Sequence, residues 1–380
     1  MPLRAEELLK VVGKHTMMNP SSTGKKPTIL DIAKALGIST ATVSRALHNN
    51  QNVTEETRAK VLQMAKKIGF KPNLAARYLS SKRQMRVSVN TLKGTTSFWN
   101  EVRAGIEEER KSLDLENVQI EFRTYQDLGD SEIAAFEAAL EAGVNGIIAF
   151  PSNPDSMRPL MRWAARSKIP VVYVATDAPE TGRLAVVSID TFASGALAAD
   201  LMGRIVRGSG KVAVTLFDAH ITEHAEKFEA FQSTIKKFYP NLSVLDPIED
   251  RDTDTVSYEK TRRLLEQSPD IRGIYVTTEL SMPVIRAVRD AESLDKVTII
   301  STDLFPQLVE QIRNGAVAAT IYQRPRTQGR MAFRALYEHL LEGTNPHAQI
   351  TFAPHVVMRG NLDFFLKRIA VDTKAKAKAL

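Results

Sequence analysis

Three stretches bring together residues whose types and spacing could do chemistry. In GISTATVSRALHNN, Gly37 to Asn50, one long cation, Arg45, sits among small hydroxyl and alanine side chains. On a helix, Thr40, Ala41, Ser44, Arg45 and His48 fall opposite Val43 and Leu47, leaving a face small enough to approach a polar surface closely. A guanidinium there can form a bidentate pair with guanine O6 and N7, worth about 1–3 kcal/mol of discrimination, while the hydroxyls of Ser39, Thr42 and Ser44 suit phosphate oxygens. The second stretch, His220 to His224, spells H-x-x-E-H, the inverted zinc-protease order, which needs both histidines on one helix. It starts just after a strand-like run, so a loop or first helical turn is expected, with a His or Glu touching a ligand rather than zinc. The third, GSGK at Gly208 to Lys211, mimics the end of a phosphate loop, but Val212 replaces the Ser or Thr and a strand follows, which makes it a turn. Spacing alone yields no Ser-His-Asp or paired-carboxylate arrangement, so no catalytic residue, metal or cofactor is expected.

The elements that must position Arg45 are short helices. Thr28 can cap ILDIAKAL, ended by Gly37; Ser39 can cap TATVSRALH; Thr54 can cap EETRAKVLQMAKKI, ended by Gly69. Ile29, Ile32, Ala33 and Leu36 recur at helical spacing, as do Val43 with Leu47 and Val61 with Ala65 and Ile68, giving each helix one apolar face for a shared core. Only Gly37, Ile38 and Ser39 separate the first two helices. Such a turn is the helix-turn-helix connection, whose second helix enters the DNA major groove. A solvated face of a three-helix interaction domain is the competing reading. Beyond Pro72, Asn73 can cap NLAARYLSSK, a helix too short to be stable alone in water. Ala75 and Ala76 would let two such helices approach each other, and Leu79 would project as the kind of apolar wedge that unstacks a base step from the minor groove.

Charge follows the same division. Residues 1 to 86 hold 16 Lys and Arg against 5 Asp and Glu, a net +11, whereas residues 87 to 380 hold 35 against 39, a net −4. A basic front on a slightly acidic body is the footprint of phosphate-backbone binding, though basic tails on other proteins give the same balance.

The run from Pro27 to Arg83 resembles the DNA-binding head of the lactose-repressor (LacI) family: TILDIAKALGISTATVSRAL fits its opening, VTEETRAKV its third helix and GFKPNLAARYL its close. Phe70 stands where the family usually has tyrosine. The resemblance implies a dimer on a pseudo-palindromic double-stranded operator, with Leu30, Thr40 and Ala41 at positions that vary with operator sequence. Thr28, Ser39, Thr42, Ser44, Arg45, His48 and Asn52 complete the expected DNA-facing set. It also implies that NLAARYLSSK is a hinge helix in which Asn73, Ala76 and Leu79 meet DNA. The expected organisation is an extension over 1–27, the head over 28–72, the hinge over 73–85, an effector-binding and dimerising core over 86–366, and a basic tail over 367–380.

From Met85 onward the pattern becomes α/β. Strand-like runs at RVSVN, VQIEF, GIIAF, PVVYV and LAVVS, then KVAVTLF, GIYVT, VTIIS and VAATI, alternate with helical segments. Two groups of about five parallel strands suggest two lobes, with the ligand in the cleft at the strands' carboxyl ends. This body resembles the type I periplasmic sugar-binding fold carried behind the head in the LacI family. By that resemblance Phe98 and Trp99 stack on a sugar face, Asp303 bonds sugar hydroxyls, and Gln323 matches a recurring glutamine. Asp177, Asp190 and His220 are further candidates. Thr278 and Glu279 replace the family's usual Asn-Asp and Lys227 stands where many members have arginine, leaving the effector open.

With 43% apolar and 25% charged residues the chain is globular material, and its lack of cysteine excludes disulfides and thiolate metal sites. The first residues never form a secretory apolar run and no segment offers a spanning helix, so a cytoplasmic, non-membrane protein is expected. The sequence thus points to a ligand-responsive DNA-binding regulator, a repressor in character. A sugar-active enzyme with a DNA-binding head is the alternative, which a phosphate loop or a catalytic base at a strand end would favour.

Overall fold

The computed structural model describes residues 28–47, 53–68, 84–93, 97–113, 115, 117–126, 128–251 and 253–367. The chain forms two compact units, residues 1–73 and 74–380. His48, Asn52, Asn73, Ala76 and Leu79, the extension over 1–27 and nearly all of the hinge and tail lie outside the described residues.

The small unit packs helices α1 (Ile29–Leu36), α2 (Thr40–Leu47) and α3 (Glu55–Lys67) around Ile32, Ala33, Val43, Ala46, Val61 and Ala65. The helix ends follow the capping chemistry. The Asp31 carboxylate accepts from the Thr28 backbone N–H at 2.8 Å and hydroxyl at 2.7 Å, and Gly37 ends α1 at φ 66°, a left-handed conformation that favours glycine. Ser39 Oγ accepts from the Thr42 N–H at 3.0 Å, and Thr54 Oγ1 from the Thr57 N–H at 3.3 Å.

In the large unit, one sheet takes the order β12-β5-β4-β3-β1-β2, from β1 (Met85–Leu92), β2 (Val118–Tyr125), β3 (Gly146–Ala149), β4 (Val171–Val174), β5 (Ala185–Ile189) and β12 (Gln349–Phe352). The other runs β13-β11-β10-β9-β6-β7, with β6 (Gly210–Leu216), β7 (Leu242–Val244), β9 (Ile271–Val276), β10 (Thr298–Thr302), β11 (Ala319–Tyr322) and β13 (His355–Val357). The two-residue β8 (Ile248–Glu249) also pairs with β6. All pairs are parallel except β11 with β13, an antiparallel edge. The central strands are buried throughout, VVYV in β4 being the clearest case, because helices cover both faces of each sheet.

In the first lobe, α4 (Ser97–Ser112) and α12 (Pro325–Glu342) pack on one face, and α5 (Asp130–Glu141) and α6 (Pro154–Arg166) on the other. In the second, α7 (Thr191–Ile205) and α8 (Thr222–Phe238) cover one face, with α9 (Asp254–Gln267), α10 (Ser281–Asp290) and α11 (Pro306–Asn314) opposite. The strand order makes the chain cross between lobes three times, after β5, after β11 and between β12 and β13. Asp190 and Gln323 therefore stand at crossings.

Helices α4 and α12 touch backbone to backbone. A Cβ on Gly105 would lie 2.0 Å from the Arg326 carbonyl oxygen, and one on Gly329 2.1 Å from that of Val102. Around this contact Arg326 bonds Glu101 and Glu108, while Arg330 and Arg334 both bond the fully buried Glu109. This clamp fixes the helix whose first turn carries Phe98 and Trp99.

Candidate functional site

In the small unit the side of α2 away from its core presents Thr40, Ala41 and Arg45 to solvent, with Ser44 and Thr42 half-buried. Ala46, fully packed inside, joins Val43 in anchoring the helix, with Leu47 half-buried beside them. Leu30 on α1 is 51% exposed. The Ser39 hydroxyl is already engaged, bonding the Thr42 hydroxyl at 2.8 Å as well as capping α2.

In the large unit a cleft of about 570 Å³ opens between the lobes. Its first-lobe wall is apolar: Leu92 at the end of β1, Phe98 and Trp99 on the first turn of α4, and Phe150 directly after β3. Trp99 packs edge-on against both Phe98 and Phe150, with ring centroids 4.9 Å apart in each pair. The second-lobe wall is mostly polar, with Glu223, His224, Thr277, Thr278, Glu279, Asp303 and Gln323, plus Phe217 and Ile221. The two walls meet: the Phe98 N–H donates to Glu279 Oε1 at 2.6 Å, and the Glu223 N–H to Thr176 Oγ1 at 3.2 Å.

Beneath the polar wall lies a buried network. Gln323 donates through its backbone N–H to Asp303 Oδ1 at 3.1 Å and through Nε2 to Oδ2 at 2.7 Å; its Oε1 accepts from Lys227 Nζ at 2.9 Å. Lys227 also pairs with Glu223. Burial raises the Asp303 carboxyl to about 6, against the pull of its Gln323 hydrogen bonds and of Lys227. Burial lowers His224 to about 4, and its Nδ1 accepts from the Asp218 N–H at 3.4 Å, so the ring is neutral at pH 7. For Lys227 burial opposes the charge, yet the Glu223 carboxylate raises its pKa. Asp303 sits at φ 65°, Ala175 at φ 73° and Arg324 at φ 58°, left-handed backbone held at strand ends around the cleft.

The sequence-expected residues divide accordingly. Phe98, Trp99, Thr278, Glu279, Asp303 and Gln323 converge on one cavity. His220 does not: its side chain is 84% exposed and bonds Asp218 at 2.8 Å, because α8 starts only at Thr222. His224, two residues into the helix, takes the place in the cleft that was expected of His220. Lys227 lies under the floor and is not in the cleft lining. Asp177 and Asp190 line a separate cavity that borders the cleft at Ala175 and Glu223. Asp177 is held by two 2.5 Å bonds from Arg183, and Asp190 caps α7 by accepting from the Ala193 N–H at 2.8 Å. Glu223 and His224 are the Glu and His that the H-x-x-E-H stretch brings to the cavity, whereas Phe150 and Phe217 were missed; an aromatic one residue past a strand end was the available signal for those two.

Comparison with known proteins agrees with this two-part construction. Residues 28–73 match the bacterial regulatory proteins of the lacI family, and residues 87–345 match the periplasmic binding protein domain. The chain joins a LacI-family DNA-binding domain to a periplasmic binding protein domain. It is 28% identical over 310 residues to catabolite control protein A of Priestia megaterium, covering 77% of this chain and 90% of that one. The ribose operon repressor of Bacillus subtilis (strain 168) is 26% identical over 284 residues, covering 74% and 82%. These relatives are regulators rather than enzymes. Among solved structures, GanP, a glucose-galactose binding protein from Geobacillus stearothermophilus, shares the fold at TM-score 0.69 and 23% identity, over 74% of this chain and 99% of its own. A solute binding protein from Burkholderia graminis C4D1M in complex with D-arabinose aligns at 0.69 and 21%, over 74% and 97%. Among the described residues, no helix is long and apolar enough to cross a membrane.

Proposed function

We propose that this LacI-family chain is a cytoplasmic transcriptional repressor that binds a pseudo-palindromic operator as a homodimer and responds to a small sugar or sugar derivative. The observation that carries the reading is the pairing, in one chain, of an exposed helix face around Arg45 with a cleft that sets aromatic rings against carboxylates. Arg45 reads a guanine edge; Leu30, Thr40 and Ala41 face neighbouring base edges; Thr28, Ser39, Thr42 and Ser44 meet phosphates. His48, Asn52, Asn73, Ala76 and Leu79 are assigned to DNA from sequence alone. The head spans 28–72, the hinge 73–85 and the core 86–366. In the cleft, Phe98 and Trp99 lie against the sugar's C–H face while Asp303, Thr278 and Glu279 accept from its hydroxyls, with Gln323 and Lys227 holding Asp303 in place. Asp177, Asp190 and His220 take no part in this contact set. The sugar-binding neighbours in fold and a relative named for the ribose operon support sugar chemistry.

Selection of binding sites from random duplexes by the full-length protein tests the DNA half. Two-fold related half-sites are expected, and Arg45→Ala should cost about 1–3 kcal/mol and relax preference at one guanine per half-site. Unchanged base preference in that variant would refute the assignment. The effector half is tested by titrating the operator complex with a sugar panel. One sugar should shift the affinity, and Asp303→Ala should keep operator binding while losing that response. A panel in which no sugar alters either operator affinity or melting temperature would remove the sugar from the reading.

A further inference from the structure

The polar wall of the cleft carries the carboxylates of Glu223, Glu279 and Asp303. Helix α4 points its N-terminus into the cleft, and the free N–H groups of a first turn, with the positive end of the helix dipole, make a natural place for an anion. Here that place is taken from the opposite lobe: Glu279, just past β9, accepts the Phe98 N–H at 2.6 Å. Deeper in, Asp303 is buried with its carboxylate turned to Gln323. Glu223 is the third carboxylate in the lining, and Lys227 behind it, paired with Glu223 and also felt by Asp303, sets a single positive charge against the three. Among the described residues lining the cavity there is no Lys or Arg, and the one histidine, His224, is neutral at pH 7. Lys93 and Arg251 lie farther out, in the groove that continues past Trp99 and Glu279, where Asp218 and Asp254 stand beside them.

We propose that Glu279 sets the charge specificity of the cleft, so that the effector is a donor-rich sugar without an anionic group, and an amino-substituted sugar binds more tightly than its uncharged parent. This rests on the sugar-cleft reading above. A phosphate or carboxylate group at the N-terminus of α4 would meet Glu279, and would lie in a desolvated pocket with Asp303. An ammonium group gives Glu279 and Asp303 a charged donor, the stronger form of hydrogen bond, while the ring's C–H face stays on Phe98 and Trp99.

The test uses the full-length protein and calorimetric titration with matched sets for several ring stereochemistries: the neutral sugar, its amino derivative, its phosphate ester and its sugar acid. Within a stereochemistry that binds, the amino form should exceed the neutral form by about ten-fold, and both anionic forms should be weaker than neutral. Glu279→Gln should remove the amine's advantage over the neutral sugar and narrow the penalty on the anions, both read as affinity ratios within the variant so that a loss common to all forms cancels, while an unchanged melting temperature without ligand shows that the fold is intact. A phosphate or acid form that binds best, or an amine preference unchanged in Glu279→Gln, would overturn the proposal and leave the sugar cleft standing. If no member of any set binds, the sugar-cleft reading falls and this proposal with it.

Discussion

The exposed side of α2 and the cleft between the lobes are built in opposite ways. Thr40, Ala41 and Arg45 are close neighbours in sequence and lie in solvent, on a helix whose other side does all the packing. The cleft gathers residues from Leu92 to Gln323, and Asp303, Gln323 and Lys227 in and beneath it are buried and bonded to one another. An exposed local site can change what it reads without changing how the protein folds. A buried convergent site cannot, because each polar group in it is compensated by a neighbour whose own charge or hydrogen bond would be orphaned.

The strongest way to break this contrast is at Lys227. Its ammonium is fully buried between Glu223 and Gln323. Lys227→Met leaves Glu223 near the floor without its cation, and removal of one partner of a buried pair costs about 3–5 kcal/mol. Adding Glu223→Gln should restore much of the loss, since a neutral pair of similar volume leaves no buried charge. Urea denaturation of the two variants reads the result. A Lys227→Met protein as stable as the parent would show that the network under the cleft is no constraint on its evolution.

These two regions also differ in how much of them sequence discloses. The head is legible because its signals are local: Thr28, Ser39 and Thr54 cap within one turn, Gly37 takes the left-handed conformation, and the apolar faces repeat inside each helix. For the core, the nine longer apolar runs are readable, but β7, β8, β12 and β13 are not. β7, β8 and β13 have only two or three residues, β12 (QITF) alternates exposed and half-buried positions instead of forming an apolar run, and the place of each depends on a neighbouring strand. The return of α12 and β12 to the first lobe is a tertiary fact with no local mark. In the cleft, Asp303 and Gln323 are readable as polar residues at the ends of buried strands. His220 and His224 are separated only by where α8 begins. Ile221 is buried and its carbonyl accepts from the His224 N–H at 3.0 Å, which turns His224 inward and leaves His220 outside.

A second effect sharpens the contrast through pH. Burial raises Asp303 from 3.8 to about 6, so between those values the fold binds more protons than the unfolded chain and stability rises as pH falls. Burial lowers His224 from 6.5 to about 4, so over that window the fold binds fewer protons and stability falls as pH falls. The groups facing Asp303 are Gln323, Lys227 and Glu223; those facing His224 are Glu223, Lys227 and Asp218. Between about pH 4 and 6 the two slopes oppose each other. Asp303→Asn leaves the histidine slope unopposed and should steepen the loss on acidification by up to about 1.4 kcal/mol per pH unit, whereas His224→Gln should flatten it. Denaturation at pH 7, 6 and 5 measures both. An Asn variant that parallels the parent would mean that Asp303 titrates as an exposed carboxyl does.

The smallest expected effect lies at Ser39, where the head departs from the simple rule that its surface only reads. The hydroxyl caps α2 through the Thr42 N–H, and it is also the group assigned to a DNA phosphate. Ser39→Ala removes both roles and should cost about 1 kcal/mol of head stability. Ser39→Asp separates them. Aspartate accepts the Thr42 N–H as well as serine does and adds a negative charge at the N-terminus of a helix, where it is favourable, so the head should melt no lower than the parent. The same charge faces the polyanionic backbone, so operator affinity should drop most at low salt, where phosphate contacts weigh most. Melting of the head and anisotropy titrations at two salt concentrations read the two roles independently. Normal DNA affinity in Ser39→Asp would confine Ser39 to capping and move the phosphate contact to Thr28, Thr42 or Ser44.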